Sequence, residues 1–123
     1  MTAAAEALFS WLSGLGFDVY AEGSVPVGAE MPYATCQWAR GAWGGGEVAV
    51  AADLWMRTES EAEANGAADA VSASLGLSGV LLPCDGGALW VKRGAPWMQA
   101  LQDADSAVRR RRLNLSVEFL TVD

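Results

Sequence analysis

The stretch EVAVAADLWMR, residues 47–57, alternates without a break: Val48, Val50, Ala52, Leu54 and Met56 oppose Glu47, Ala49, Ala51, Asp53, Trp55 and Arg57. Successive side chains of a strand point to opposite faces, whereas a helix needs a 3.6-residue period. Eleven residues of period two therefore commit the middle of this chain to a long strand with one apolar face. PYATCQWAR just upstream alternates too, with Ala34, Cys36 and Trp38 against Tyr33, Thr35 and Gln37. The two read as a hairpin across GAWGGG, whose glycines hold Trp43 at the tip.

A strand with one apolar face needs something to cover it. TAAAEALFSWLSGLG places Leu8, Trp11, Leu12 and Leu15 at helical spacing, with Thr2 as the cap and Gly14 and Gly16 at the exit. TESEAEANGAADAVSASLGL gives a second helix with a thin stripe of Ala64, Ala67, Ala68, Val71 and Leu75. Thr58 is its expected N-cap, because Glu61 stands three residues on at capping-box spacing. Glu59, Glu61 and Glu63 crowd its first turns, where the helix dipole favours negative charge.

FDVYAEG reads as a short strand before the helix-excluding GSVPVGAEMP, and SGVLLPCDGGALWVKRG as two strands around a CDGG turn. In APWMQALQDADSA, Met98, Leu101 and Gln102 fit a helical turn and Asp103, Asp105 and Ser106 read as loop, and a last strand is expected from about Arg111 to Thr121. The fold class is α+β: an antiparallel or mixed sheet with both helices on one face. No repeat or linker divides residues 1–123, so one domain is expected, and 123 residues suit one core.

Histidine is absent, which removes the commonest general base and metal ligand. Cys36 and Cys84, 48 positions apart, cannot form a standard zinc site alone and read as two free thiols of a cytosolic protein. No catalytic residue, cofactor or metal is expected. No apolar run approaches the ~20 residues of a membrane helix, and no secretory signal is expected behind Glu6. Charge is unevenly spread. Residues 1–76 hold ten acidic residues against Arg40 and Arg57; residues 77–123 hold five against six basic ones. Such asymmetry permits head-to-tail assembly.

Half of the positive charge is Arg109, Arg110, Arg111 and Arg112, at the mouth of the last strand in a chain of net charge -7. A solvated flank, a nucleic-acid grip and a partner surface are open readings; the acidic remainder disfavours the second. Regular pleating would put Arg109 and Arg111 on the face of Leu113 and Leu115. Burying them there requires that the face end, that a bulge intervene, or that carboxylates meet them. Trp43 is either an interface anchor or a side chain folded back on the sheet.

PYATCQW, EVAVAADLWMRT, ESEAEANGAADAVSASL and the late RRRLNLSVEF together resemble the tail completion or tail terminator proteins of long-tailed bacteriophages. The likeness spans residues 30–75 and 108–121, while 77–107 departs as a longer, Trp-rich insertion. The resemblance implies a small α+β virion protein of the tail or neck, assembled in the host cytoplasm. It implies a ring, commonly of six copies, whose partners are itself, the tail tube protein and a head-side connector or head-closure protein. DNA would cross the ring without sequence-specific binding. The arginines are then expected at a sheet edge, meeting Glu59, Glu61 and Glu63 of an adjacent subunit or ring, with Trp43 as a further interface residue. Alternatives are another head-tail joining protein, a head-closure protein or tube-end adaptor, and a small ligand-binding domain or enzyme with a pocket walled by Trp38, Trp55 and Trp90.

Overall fold

A computed structural model describes residues 2–38 and 46–121. The order is α1 (Ala3–Gly14), β1 (Asp18–Ala21), β2 (Tyr33–Trp38), β3 (Glu47–Arg57), α2 (Glu61–Leu75), β4 (Val80–Cys84), β5 (Gly87–Leu101) and β6 (Val108–Thr121). The strands form a six-stranded sheet in the order β1-β2-β3-β6-β5-β4. β1 runs parallel to β2, and every other pairing is antiparallel. The fold is α+β with a mixed sheet, as the alternation of EVAVAADLWMR requires.

The core lies on one face only. Val50, Ala52 and Leu54 of β3, Leu113, Leu115 and Val117 of β6, and Ala34 and Cys36 of β2 are buried there with Leu8 and Leu12 of α1 and Ala64, Ala68, Val71 and Leu75 of α2. Burying each large aliphatic side chain is worth about 1.5–3 kcal/mol. The alanine stripe of α2 lets its backbone lie close to β5 and β6, and Phe9 of α1 meets Trp38 edge-on at 5.7 Å. The opposite face carries no helix, which is why its side of β3 is largely polar or small.

Thr2 caps α1, its hydroxyl accepting from Ala5 N at 3.1 Å. The cap of α2 corrects the expectation. Ser60, not Thr58, is the N-cap, its Oγ accepting from Glu63 N at 3.1 Å. Thr58 instead accepts from Ser60 N at 3.0 Å and donates to Glu63 Oε2 at 2.8 Å. The S-x-x-E spacing starts at Ser60 as well as T-x-x-E at Thr58, and the chain uses the later one because Arg57 is still in β3. Ser60→Ala should cost about 1 kcal/mol in urea unfolding, and Thr58→Ala less.

Two boundaries also differ. The helical turn expected at Met98, Leu101 and Gln102 is replaced by strand, because β5 continues to Leu101 beside β6, while Asp103, Asp105 and Ser106 lie in the loop expected there. The register of β5 slips between Arg93, opposite Leu115, and Met98, opposite Leu113. The intervening residues bulge outward, held by Asn114, whose Nδ2 donates to Pro96 O at 2.8 Å and Gln99 Oε1 at 3.1 Å. A bulge admits proline and glycine into a strand, which masked the strand in the sequence. β6 starts at Val108, three residues earlier than expected.

Candidate interaction surface

The arginine run sits in the interior of the sheet, not at its edge: β6 lies between β3 and β5. Strand phase deals the four side chains alternately to the two faces, and each face supplies its own carboxylate.

On the helix-free face Arg112 is directly opposite Asp53, and Arg110 is opposite Trp55. Arg112 Nε donates to Asp53 Oδ1 at 2.8 Å and its Nη2 to Oδ2 at 3.1 Å. Arg110 donates to Oδ2 from Nε at 2.9 Å and from Nη2 at 2.5 Å. The Asp53 side chain is only 3% exposed although no helix covers it; the two guanidinium groups close over it. The hydrogen bond to Asp53 pushes the pKa of Arg112 further up, so it stays charged. Arg110 also stacks over Trp55, 4.5 Å from the ring centroid, while Trp55 Nε1 donates to buried Thr35 at 3.0 Å. Tyr33 and Tyr20 extend this aromatic row toward β1.

On the helix face Arg109 and Arg111 meet Glu61 in the first turn of α2. Arg111 is 2% exposed and is among the largest fully buried side chains. Its Nε donates to Asn65 Oδ1 at 3.0 Å, Nη1 to the carbonyl of Arg110 at 3.2 Å, and Nη2 to Glu61. Arg109 Nε lies 2.7 Å from Glu61 Oε1, near enough for an ion pair although its N–H is not aimed for a hydrogen bond. Its Nη groups donate to the carbonyls of Ser106 and Glu59. At the other end of α2, Arg93 of β5 donates to the carbonyl of Ser72 at 2.7 Å and of Gly76 at 2.6 Å. These are carbonyls a helix end leaves unpaired, at the negative pole of its dipole. α2 is thus an alanine helix of small apolar area clasped at both ends by arginines of the sheet.

Of the expected carboxylates, Glu61 is the arginine partner, within the same chain. Glu59 offers only its main-chain carbonyl, and Glu63 accepts from Thr58. The carboxylate that sequence reasoning missed is Asp53. It was visible as an aspartate on the polar side of an alternating strand, but its register against Arg112 was not. Trp43 lies outside the described residues. Half-buried Arg109 and buried Arg111 therefore resolve the strand-phase problem by sharing the Glu61 carboxylate, without a register shift between β3 and β6.

The rest of the surface is divided by charge. Neither helix contains a lysine or arginine, while Glu6, Glu63 and Asp69 stand exposed on them. Among the described residues, Leu15, Val27, Leu77 and Leu81 are exposed large apolar side chains, Val27 at 106% and Leu77 at 99% almost wholly so. Trp38 faces α1, whereas Trp55 and Trp90 are on the other face and on separate strands, so the three do not wall one common pocket. A groove of about 590 Å³ runs between α1 and β1 past Phe9, Ser13, Asp18 and Tyr20. Among the described residues no three His, Cys, Asp or Glu side chains are placed to hold a metal ion. No helix is long and apolar enough to cross a membrane.

Cys36 is buried, and desolvation, helped by the Asp53 charge, pushes its thiol up from 9.0 to about 12. The sign follows. The folded state holds this proton more tightly, so its stabilising contribution is complete below about pH 9 and is lost as pH rises toward 12. At pH 8 a thiol reagent should modify half-buried Cys84 readily and Cys36 only after denaturant is added. Fast native labelling of both thiols would contradict the burial.

No protein-family model matches the sequence, and no curated protein matches it. Among solved structures the chain is similar to one in the virion of native gene transfer agent (GTA) particle. The TM-score is 0.57 and the identity 22%, covering 94% of this chain and 90% of that one. At that identity the likeness is one of fold, and it runs nearly end to end.

Proposed function

We propose that this chain is a structural subunit of a phage-like virion, and within it a tail terminator: a ring, expected to be hexameric, that caps the tail tube and joins it to the head-side connector. The observation that carries the reading is the near full-length fold likeness to a chain of a gene transfer agent virion. The tail-terminator resemblance of residues 30–75 and 108–121 supplies the finer assignment. Its partners are then copies of itself, the tail tube protein and the connector or head-closure protein, and its place is the virion neck.

The residue chemistry supports a building block over an enzyme. All four arginines of the run are held by carboxylates or carbonyls of their own chain, so they stiffen the subunit and are not poised for catalysis. Helices carrying acidic groups and no cations suit a channel wall that DNA crosses without adhering, because like charges repel. A head-closure protein or tube-end adaptor is the second reading, favoured by the same fold likeness. Electron microscopy of the purified protein, alone and mixed with tail tubes, tests both. Rings on tube ends are expected; a ring on the head side of the joint selects the second reading. Tubes that stay bare, with the protein monomeric by light scattering, would overturn both.

A further inference from the structure

We propose that the β1 edge of the sheet takes an added strand: an extended segment of a second virion protein in which basic and apolar side chains alternate. The inference rests on the virion reading for the source of that segment, and on the edge itself for its chemistry. β1 (Asp18–Ala21) forms one edge of the sheet and β4 the other. An edge strand offers unpaired N–H and C=O groups to a further chain. At β4, Pro83 removes a donor from the middle of the strand. β1 contains neither proline nor lysine to discourage pairing. Glu22 N donates to Cys36 O at 3.0 Å, so the even-numbered residues bond to β2, and Val19 turns its N–H and C=O outward, as Ala21 does its N–H. The groove of about 590 Å³ runs along that outer side, with Phe9, Ser10 and Ser13 of α1 as its wall. Room for a strand therefore lies beside the groups that would bond it.

Strand phase gives the occupant its pattern. Val19 packs toward the core, so Asp18 and Tyr20 point to the helix-free face, where Tyr20 lies 5.8 Å from Tyr33. An added strand would lay every second side chain over Val19 and Phe9, which suits apolar groups. The others would lie beside Asp18 and Tyr20, where a carboxylate and an aromatic ring suit a cation. Charge is uncompensated there. Residues 2–38 contain four carboxylates and no lysine or arginine. The last turn of α1 adds the negative end of its dipole with no basic residue to offset it. Glu22 feels Arg112 without forming an ion pair with it, whereas Asp18 enters none of the ion pairs among the described residues. A second copy is a poor source of the cation, because every described lysine and arginine is already engaged within its own chain. Arg57 is held by Asp105, Lys92 by Glu47, Arg93 by carbonyls of α2, and the arginine run by Glu61 and Asp53. The strand is therefore assigned to another protein.

A short peptide alternating lysine and valine, titrated into the isotopically labelled full chain, is the probe. Binding should shift the amide resonances of Val19 and Ala21 and slow their hydrogen exchange, because both N–H groups then gain acceptors. Three changes should each weaken it about tenfold or more: glutamate for lysine in the peptide, N-methylation of alternate peptide amides, and Asp18→Lys in the protein. Asp18 is exposed, and circular dichroism can verify that its replacement leaves the fold unchanged. A methylated peptide that binds as well as the parent would reduce the contact to electrostatic adhesion and sink strand addition. Absence of binding would overturn the edge site. So would shifts of Val19 and Ala21 that grow with protein concentration alone, since a second copy would then be the occupant. Each of these results leaves the electron microscopy of tube ends untouched. Conversely, bare tubes would remove a virion protein as the source of the strand even where the peptide binds.

Discussion

Replacing Asp53 by alanine will destabilise the fold by about 3–5 kcal/mol, the range for removing one member of a buried ion pair. A domain of this kind has about 5–15 kcal/mol in all, so a large part of the urea midpoint should be lost. The size follows from geometry. Asp53 receives four guanidinium hydrogen bonds, two each from Arg110 and Arg112, and is almost inaccessible to water. Without it, two half-buried cations face each other across the sheet. Asp53→Asn, which keeps an acceptor but no charge, should fall between wild type and Asp53→Ala. Reversing both arginines, Arg110→Glu with Arg112→Glu, places three carboxylates together and should unfold the subunit outright. That double variant therefore cannot report on subunit contacts, as it could have if the run lay at an exposed edge. A loss below about 1 kcal/mol for Asp53→Ala would mean that solvent reaches the cluster far more than its burial implies.

On the other face the prediction divides by partner. Glu61→Ala should cost about 2–3 kcal/mol, below the buried-pair range because the Glu61 side chain is 63% exposed and screened by water. The cost arises because Arg111 stays buried with only Asn65 and a carbonyl to satisfy it. Arg111→Met should change stability by about 1 kcal/mol or less, or raise it, since an apolar side chain of similar volume removes the buried charge. The double variant should then be little worse than Arg111→Met alone, and a double-mutant cycle from urea unfolding reads that coupling. Additive losses would show that Glu61 acts through its charge at the N-terminus of α2 and not through Arg111. The clasp explains how so small an apolar stripe holds α2 to the sheet. Alanines bring the helix close, and charge at both termini sets its position along β6 and β5.

How much was legible beforehand varied with the range of the interaction. EVAVAADLWMR announced β3 and its buried face because alternation is a property of the strand itself. α1 and α2 were legible from their spacing, although two overlapping S/T-x-x-E frames concealed which residue caps α2. The strand at 95–101 was missed because a register shift puts Gly94 and Pro96 where a regular ladder would reject them, and Asn114 across the sheet holds that stretch. The phase of Arg109 and Arg111 correctly raised the need for carboxylates to meet them. It could not say whose they were: Glu61 of the same chain meets both, and Asp53, which meets Arg110 and Arg112 on the other face, was not foreseen.

By itself, then, the amino-acid order determined the elements, the inward faces and the alternating display of the arginines, since these depend on neighbours within a few residues. Tertiary structure alone decided that β6 is an inner strand, that Asp53 stands opposite Arg112, and that Arg93 closes the far end of α2. Those facts depend on strand order and register, which bring together groups 17 to 59 residues apart and are selected by the energy of the whole core rather than by any local segment.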